Sequence, residues 1–521
     1  MSAVRLYFAG MVLKQLRALT QLDIQLFLVV LVAAGYTLFC GPGRYPIQLW
    51  DESRLAVNAT EMVLNHQLLV TYFDGQPDLW NTKPPLLIWL QAGCIAVLGN
   101  KEWVVRLPTS TANLVTVSVL YWFCARPLRS PAAGLFSGLV LATCAGFASY
   151  HVAWAADYDA LLCMWQVLVL VAFFQYTEHR TRTAWWVCVL ALMGGVLTKG
   201  IAGFICVPAL VAYGLWRGAL LPLFGQRKFY AALLLFGLAV GGFYLARELA
   251  APGYWRAVQE NELQGRFGRA FNYLHGPWNF YLDHLRHGDF WPWLGVPPTL
   301  LLAWLQPEAR PRRLTVWLLT YSGVWLAVLS LSASKAFWYA APVFPALALL
   351  VGLGLSWVYE ALRAPFFATR LSSRTSVLLF AALVFWYPYR VIAAVVNQRS
   401  TFAENKYVTY LTNLVVAHPE IKRVTLLVPR IFQDPQPVPN TPHDPDSNYN
   451  PVYSYYRLAF KMQHRLDVAF LNNRQLNRLQ PADTVVVCLA PLRQELTRQF
   501  VVRILGGDAQ GCTVVIVSRR E

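Results

Sequence analysis

The sequence predicts a polytopic α-helical membrane protein with a small α/β domain at its C-terminal end. Three observations predict it. Of the 521 residues, 56% are hydrophobic and 14% charged, and the mean hydropathy is +0.40; a soluble chain of this size carries roughly a quarter charged residues. Apolar runs of about 16–22 residues recur along the chain, the length at which a helix crosses a bilayer. Beyond residue 397 the pattern changes to short β-branched runs separated by helical ones. A soluble enzyme, a secreted disulfide scaffold and a disordered chain are thereby excluded.

In chain order, residues 1–21 read as a short basic amphipathic segment on the cytoplasmic side, with no small-residue cleavage site after the apolar run that follows. Spans are expected over 22–40, 107–125, 132–150, 161–177, 184–198, 201–216, 229–249, 291–305, 314–331, 337–358 and 375–396. The run from Pro84 to Leu98 is about 15 residues long, reaching only about 22 Å as a helix, and reads as lying at the interface. Alternate loops separate by charge: the N-terminal segment and the loops near 126–129, 180–182, 217–228, 310–313 and 363–374 hold sixteen Lys and Arg. The positive-inside rule makes that side cytoplasmic, so the loops 41–106 and 250–290 and everything from 398 to 521 face outward. The net charge of +17 then reports topology, and no nucleic-acid partner is expected.

In the outer region, Val424–Val428, Thr484–Cys488 and Thr513–Val517 read as buried strands, with helices near 402–417 and 491–505 and a Pro- and Asp-rich loop over 434–451. It contains no glycine-rich phosphate loop, and an accessory role is expected. Nine Cys lie mostly inside apolar runs without metal-ligand spacing, and read as small packed hydrophobes.

Charged residues at membrane depth are expensive and mark function. In this topology those that stand out share the outer side: Asp51 and Glu52 after the first span, Lys83 before Pro84-Pro85, Asp157 and Asp159, Lys199, and Lys335. The 250–290 loop adds Glu260, Glu262, Arg266, Arg269, His275 and His287. Each has a bland reading: Asp51 as a helix N-cap, Asp157 and Asp159 as loop carboxylates capping the next helix, Lys199 and Lys335 as snorkelling ends, Glu260 and Arg266 as one face of a surface helix, the histidines as ordinary loop residues. Taken together the set suits transfer from a lipid phosphate. Carboxylates deprotonate an acceptor hydroxyl or stabilise charge at a sugar carbon, and cations hold the phosphate leaving group.

At these residues the chain resembles a known family. Trp50-Asp51-Glu52-Ser53-Arg54-Leu55-Ala56, Asn81-Thr82-Lys83-Pro84-Pro85-Leu86 and Arg106-Leu107-Pro108 are similar to the opening of the polyprenyl-phosphate-dependent integral-membrane glycosyltransferases of the GT-C class. The likeness is to the branch of the lipid A aminoarabinose transferase and the protein O-mannosyltransferases. It continues, in order, through Asp159-Ala160-Leu161-Leu162, Leu197-Thr198-Lys199-Gly200, Asn261 to Phe267, His275-Gly276-Pro277 and Ser334-Lys335 with Tyr339 and Pro342, covering about residues 20–360. The resemblance implies a GT-C-like fold of about 11–13 transmembrane helices, with residues 22–397 as the catalytic domain. It implies an inverting transferase in the bacterial cytoplasmic membrane, working on the outer face with a polyprenyl-phosphate sugar donor and an envelope glycolipid, glycan or protein acceptor. Asp51 matches the principal catalytic carboxylate and Asp159 the second, with Asp157 its neighbour; Lys83 and Arg266 match donor-phosphate ligands, joined by Lys199 and Lys335; Glu52, Glu260, Tyr339 and His275 are implied at the substrate. Family members often carry Glu before Lys-Pro-Pro, where it can take part in a metal site. Here Thr82 stands in its place, so no metal or other cofactor is assigned, with His275 the remaining candidate ligand. The competing classes are a polyprenyl-lipid or sugar transporter, which would carry inverted repeats and midplane charges, and a non-catalytic envelope scaffold, for which the Asp51 region would be dispensable.

Overall fold

The computed structural model describes residues 21–39, 41–43, 45–268, 275–363, 371–402, 406–429, 450–508 and 511–519. The amphipathic reading of the first residues and nearly all of the loop over 434–451 lie outside them. The protein is a polytopic helical membrane protein with a C-terminal α/β region. Among the described residues, seven helices are long and apolar enough to cross a membrane: Gln21–Phe39, Tyr158–His179, Arg182–Phe204, Arg227–Ala250, Ala309–Leu331, Val343–Leu362 and Ser373–Gln398. Shorter apolar helices run over Leu86–Leu98, Pro131–Ala142 and Val207–Trp216, and the helix Glu102–Ala125 keeps Pro108 within it.

Several expected spans are shorter or broken. The run 132–150 is helical only to Ala142; the chain then passes Gly146, whose amide donates to the Asp289 carbonyl at 2.9 Å, and forms a π-helical turn over Tyr150–Trp154. A Cβ at Gly146 would stand 2.3 Å from the Phe344 ring, so only glycine lets the strand of loop lie against that helix. The runs 201–216 and 291–305 each open as a 3-10 turn, with Pro208 and Pro297 near the start of the α-helical part. Proline suits a helix start and not its middle, because it lacks an N–H.

The helices pack on one large apolar core that includes Val30, Phe136, Phe174, Trp317 and Phe344. Close approach is secured by small residues, as is usual between membrane helices: a Cβ on Gly352 would meet the Ser137 hydroxyl at 2.1 Å.

The C-terminal region is a five-stranded mixed sheet. A short hairpin, β1 (Tyr72–Phe73) and β2 (Gln76–Pro77), precedes it in the chain. The sheet comprises β3 (Arg423–Leu427), β4 (Asp467–Leu471), β5 (Thr484–Val487), β6 (Phe500–Gly507) and β7 (Thr513–Arg519), in the order β4-β3-β5-β7-β6. β3 is parallel to β4 and β5; β7 is antiparallel to β5 and β6. Strands at 467–471 and 500–507 and the helix Pro451–His464 escape the sequence reading, and the helix expected over 491–505 ends at Gln499. The apolar positions of β6 alternate with partners across β7 only once the strands pair, so Val501, Val502, Ile504 and Leu505 mimic a helical continuation. Cys488, just after β5, and Cys512, just before β7, form a disulfide, which corrects their reading as plain packed residues. Cys488→Ser is expected to destabilise this region by about 3 kcal/mol, from loss of the link closing a loop of 24 residues; a lower thermal midpoint under reducing conditions or in the variant is the check.

One face of the sheet is covered by Leu476, Leu492 and Leu496. The other shares a continuous core with the helix Asp51–Asn65, with Leu55, Ile88 and Val105 joining Leu411, Tyr455 and Val486. The sheet region is therefore packed onto the element that begins at Asp51. Helix Pro451–His464 adds polar ties: Tyr456 Oη accepts from the Ile47 amide and donates to Glu102, both at 3.0 Å, and Arg457 pairs with Asp74 at 2.6 Å.

Candidate active site

The helix Asp51–Asn65 starts abruptly. Trp50, just before it, has φ 77 and ψ −118, a backbone state that residues with a Cβ adopt only at a cost of about 1–3 kcal/mol and that concentrates at functional sites. Asp51 is thus the first helical residue and not the N-cap. Glu52, beside it, is wholly buried and fully engaged. It accepts from Arg106 Nε at 2.7 Å and Nη2 at 2.9 Å, from the Ala156 amide at 2.9 Å and from the Gln48 amide at 2.8 Å. Arg106 in turn donates to the Tyr45 and Pro46 carbonyls. This pair ties the loop before Asp51 to the segment before Asp157, so Glu52 positions the site instead of presenting a carboxylate to a substrate.

A second buried pair shapes the approach to Lys83. Arg54 donates to Asp78 at 2.8 Å between the rings of Phe73 and Trp80. Asp78 also accepts from Asn58 and the Trp80 and Asn81 amides. Asn81 is held by Tyr158 Oη at 3.0 Å. Burial outweighs Asp78 and lowers the Arg54 pKa, the mark of a guanidinium retained for its geometry. Next along the chain, Lys83 is buried with its ammonium 3.7 Å from Glu262 and 5.2 Å from the Tyr158 ring centroid.

Tyr158 opens the helix Tyr158–His179, and Asp157 is its N-cap, accepting from the Tyr158 amide at 2.6 Å. The other Asp157 oxygen lies 2.6 Å from His151 Nδ1, and the His151 ring stacks on Trp338 at 3.8 Å. Burial opposes charge on both groups, but each outweighs it for the other: the His151 pKa rises and Asp157 is held below the usual carboxylate range. Asp159, the second residue of that helix, pairs with Lys199 at 2.5 Å, and Lys199 lies 5.2 Å from the Tyr339 ring. Donor atoms of Asp51, His151 and Asp157 all lie within 4.8 Å of one another. Among the described residues the Asp51 carboxylate takes part in no hydrogen bond or ion pair, and it meets the charges of Arg54 and His151 only through space.

The structure thus brings Asp51, Lys83, Asp157, Asp159, Lys199 and Tyr339 into one linked cluster. Others expected there stand apart. Glu260 is exposed and pairs with Arg256 four residues earlier, while Glu262, two residues on, is the carboxylate that turns inward to Lys83. His275 is exposed. Lys335 donates to the Ser330 and Ser332 carbonyls at 3.0 and 2.7 Å, closing the C-terminal end of the helix Ala309–Leu331; its described bonds run there and not to the carboxylates. The side chain of Arg266 lies outside the described residues. His151 escaped the sequence reading, since it sat at the edge of a presumed span; a titratable residue six positions before Asp157 was the available signal.

The metal position that the resemblance implies is at Thr82. Here Thr82 Oγ1 donates to Glu262 Oε1 at 2.9 Å, and the Lys83 ammonium lies 3.7 Å from the same oxygen. One hydroxyl and one carboxylate facing an ammonium do not fit a cation.

Comparison with known proteins bears on this arrangement. Residues 82–242 match the family model described as dolichyl-phosphate-mannose-protein mannosyltransferase. An undecaprenyl phosphate-alpha-4-amino-4-deoxy-L-arabinose arabinosyl transferase of Pseudomonas savastanoi pv. phaseolicola (strain 1448A / Race 6) is 32% identical over 334 residues, covering 62% of this chain and 60% of the relative. The protein of the same name from Pseudomonas aeruginosa (strain LESB58) is 30% identical over 340 residues, covering 63% and 59%. The chain therefore spans about 60% of the length of the curated relatives it matches. Among solved structures, ArnT from Cupriavidus metallidurans bound to undecaprenyl phosphate aligns with a TM-score of 0.66 at 19% identity, over 94% of this chain and 97% of that one. The Archaeoglobus fulgidus oligosaccharyltransferase in the apo form aligns at 0.52 and 14% identity, over 86% and 64%. The chain resembles these membrane glycosyltransferases and has the ArnT fold over nearly its whole length.

Proposed function

We propose that the protein is an inverting glycosyltransferase that moves a sugar from a polyprenyl-phosphate donor to an acceptor on the outer face of the cytoplasmic membrane. The observation that carries this reading is the unpartnered carboxylate of Asp51, set among buried charges that are otherwise paired, with the Lys83 ammonium reached through Asp157 and Tyr158. A carboxylate kept free in such a cluster is available to a substrate.

The chemistry follows from those groups. The acceptor oxygen attacks the anomeric carbon from the side opposite the phosphate, and its proton passes to Asp51. The bond from that carbon to the phosphate oxygen breaks with its electron pair leaving on the phosphate. Lys83 and, by resemblance, Arg266 stabilise that charge. A single displacement inverts the anomeric centre. The relatives named for undecaprenyl phosphate-linked aminoarabinose, and the ArnT structure bound to undecaprenyl phosphate, support a donor of this class. An envelope glycolipid, glycan or protein serves as acceptor.

Orientation is supported by the disulfide between Cys488 and Cys512, since disulfides persist in oxidising compartments outside the cytoplasm. The sheet region that carries it shares a core with the Asp51 helix, which supports an outer-side site in agreement with the positive-inside rule. Mass spectrometry of envelope glycolipids and glycoproteins from a deletion strain tests the function: one class loses a single sugar if the reading holds, and an unchanged envelope counts against it.

Lys83→Ala is expected to raise the KM for the polyprenyl-phosphate donor by about 10-fold, the loss of one charge-assisted contact at about 1.5 kcal/mol or more, while acceptor KM changes little. Equal loss for both substrates would remove Lys83 from the donor phosphate.

A further inference from the structure

We infer that Arg310, with Arg217 and Arg313 beside it, binds the phosphate of an anionic phospholipid headgroup at the membrane face opposite Asp51. The three guanidinium groups gather around one carboxylate, Glu178, in the last turn of the helix Tyr158–His179. That helix has 22 residues and carries Asp159 in its first turn. Its two ends lie about 33 Å apart, enough to cross a hydrocarbon core of about 30 Å. Glu178 is taken up by two of the three. Arg313 grips it with the paired edge of its guanidinium, Nε at 2.9 Å and Nη2 at 2.6 Å, and Arg217 Nη2 adds a bond at 3.2 Å. Arg310 meets the same carboxylate only through space. Its Nη1 donates to the Pro127 carbonyl at 2.8 Å. Its Nε and Nη2, the edge that Arg313 uses, are buried without a partner among the described residues, as is Arg217 Nε. Buried donors left unpaired are costly, and this edge fits two oxygens of one phosphate.

Charge balance and helix polarity point the same way. Three guanidinium charges face one carboxylate. Glu308, two residues before Arg310, is exposed and enters no ion pair among the described residues. Arg126, in the loop that carries Pro127, already faces Asp23 at 3.9 Å. Arg310, Arg312 and Arg313 lie at the start of the helix Ala309–Leu331, whose first turn holds no acidic residue. A helix N-terminus favours anions and disfavours cations, so these charges stand against the local field until an anion joins them.

The surroundings make that anion a lipid's. Trp216 and Trp304 are 57% and 65% exposed, and their rings lie 5.8 and 5.9 Å from the guanidinium carbons of Arg217 and Arg312. Exposed tryptophans beside basic residues mark the headgroup level of a bilayer. Leu215 and Leu305 adjoin them, also exposed, and offer apolar surface to acyl chains. The positive-inside rule makes this face cytoplasmic, where anionic lipids concentrate and basic pockets between helices hold their headgroups. The polyprenyl-phosphate donor of the proposed function belongs at Lys83, near the opposite end of the helix Tyr158–His179, so the headgroup site does not rest on that function.

Native mass spectrometry of the full chain in detergent tests the site, with phosphatidylglycerol or diacylglycerol of the same acyl chains added in steps. One phosphatidylglycerol is expected to bind more tightly than any further copy, and diacylglycerol should not replace it. Arg310→Gln should weaken that first binding by about 10-fold, the loss of one charge-assisted pair. Arg310→Lys, which keeps the charge and loses the two-pronged edge, should weaken it nearly as much. Arg129→Gln, which removes an exposed charge from the same face, should leave it unchanged. Thermal midpoints check that each variant folds; should Arg310→Gln fail to, Arg310→Lys decides. Equal weakening by Arg129→Gln, or full affinity in Arg310→Lys, overturns the site in favour of diffuse charge attraction. Inorganic phosphate is the second arm: if it binds in an Arg310-dependent way and phosphatidylglycerol does not, the occupant is a soluble anion and the lipid assignment falls.

Discussion

Asp51→Asn is expected to lower sugar transfer by about two to four orders of magnitude, the range in which a positioned acid–base group contributes, while the protein still folds and inserts. Asp51 differs from its neighbours in its partners. Every other carboxylate of the cluster is engaged: Glu52 with Arg106, Asp157 with His151 and Asp159 with Lys199. Asp51 is not, and asparagine at the first residue of a helix keeps shape and hydrogen-bonding capacity while losing the basic oxygen. No buried pair is broken, so stability should move little. Full transfer by Asp51→Asn in a membrane assay with a polyprenyl-phosphate sugar would remove the residue from the chemistry.

The neighbouring residue behaves in the opposite way. Glu52→Ala is expected to destabilise the fold by about 3–5 kcal/mol, the cost of leaving one partner of a buried ion pair uncompensated. Arg106 and Glu52 are 1% and 0% exposed, so no water replaces the lost carboxylate. The Gln48 and Ala156 amides lose their acceptor as well. The check is a lower thermal midpoint and yield in detergent, with transfer lost in proportion to folded protein. Loss of transfer at unchanged stability would instead place Glu52 at the substrate. Two adjacent carboxylates thus separate cleanly, one by chemistry and one by structure.

This contrast shows where the sequence is legible. Membrane helices declare themselves by length and hydropathy because the bilayer imposes both. The grouping of Asp51, Lys83, Asp157, Asp159 and Lys199 follows from the same constraint, since charges at the ends of packed spans have few places to go. Which of them pair was not legible. Glu52 meets Arg106 across 54 residues, and nothing local distinguishes it from Asp51. Glu262 and Glu260 differ by two positions on one π-helical stretch, and the turn of that helix alone sends one to Lys83 and the other to solvent. Lys335 reads as a phosphate ligand in the sequence, yet its ammonium donates to the Ser330 and Ser332 carbonyls at the end of the preceding helix. In the C-terminal region, the edge strand β6 and the disulfide were hidden for a related reason: each is defined by a partner later in the chain, β7 for the strand and Cys512 for Cys488.

Under the proposed function, the donor's phosphate sits at Lys83 and faces the same space as Asp51. A structure of the full chain with undecaprenyl phosphate bound tests it directly. The phosphate is predicted within about 3–4 Å of the Lys83 ammonium, hydrogen-bond to ion-pair range, with Asp51 open to the same space. A phosphate bound at the Arg-rich cytoplasmic ends of the helices, or walled off from Asp51, would contradict it.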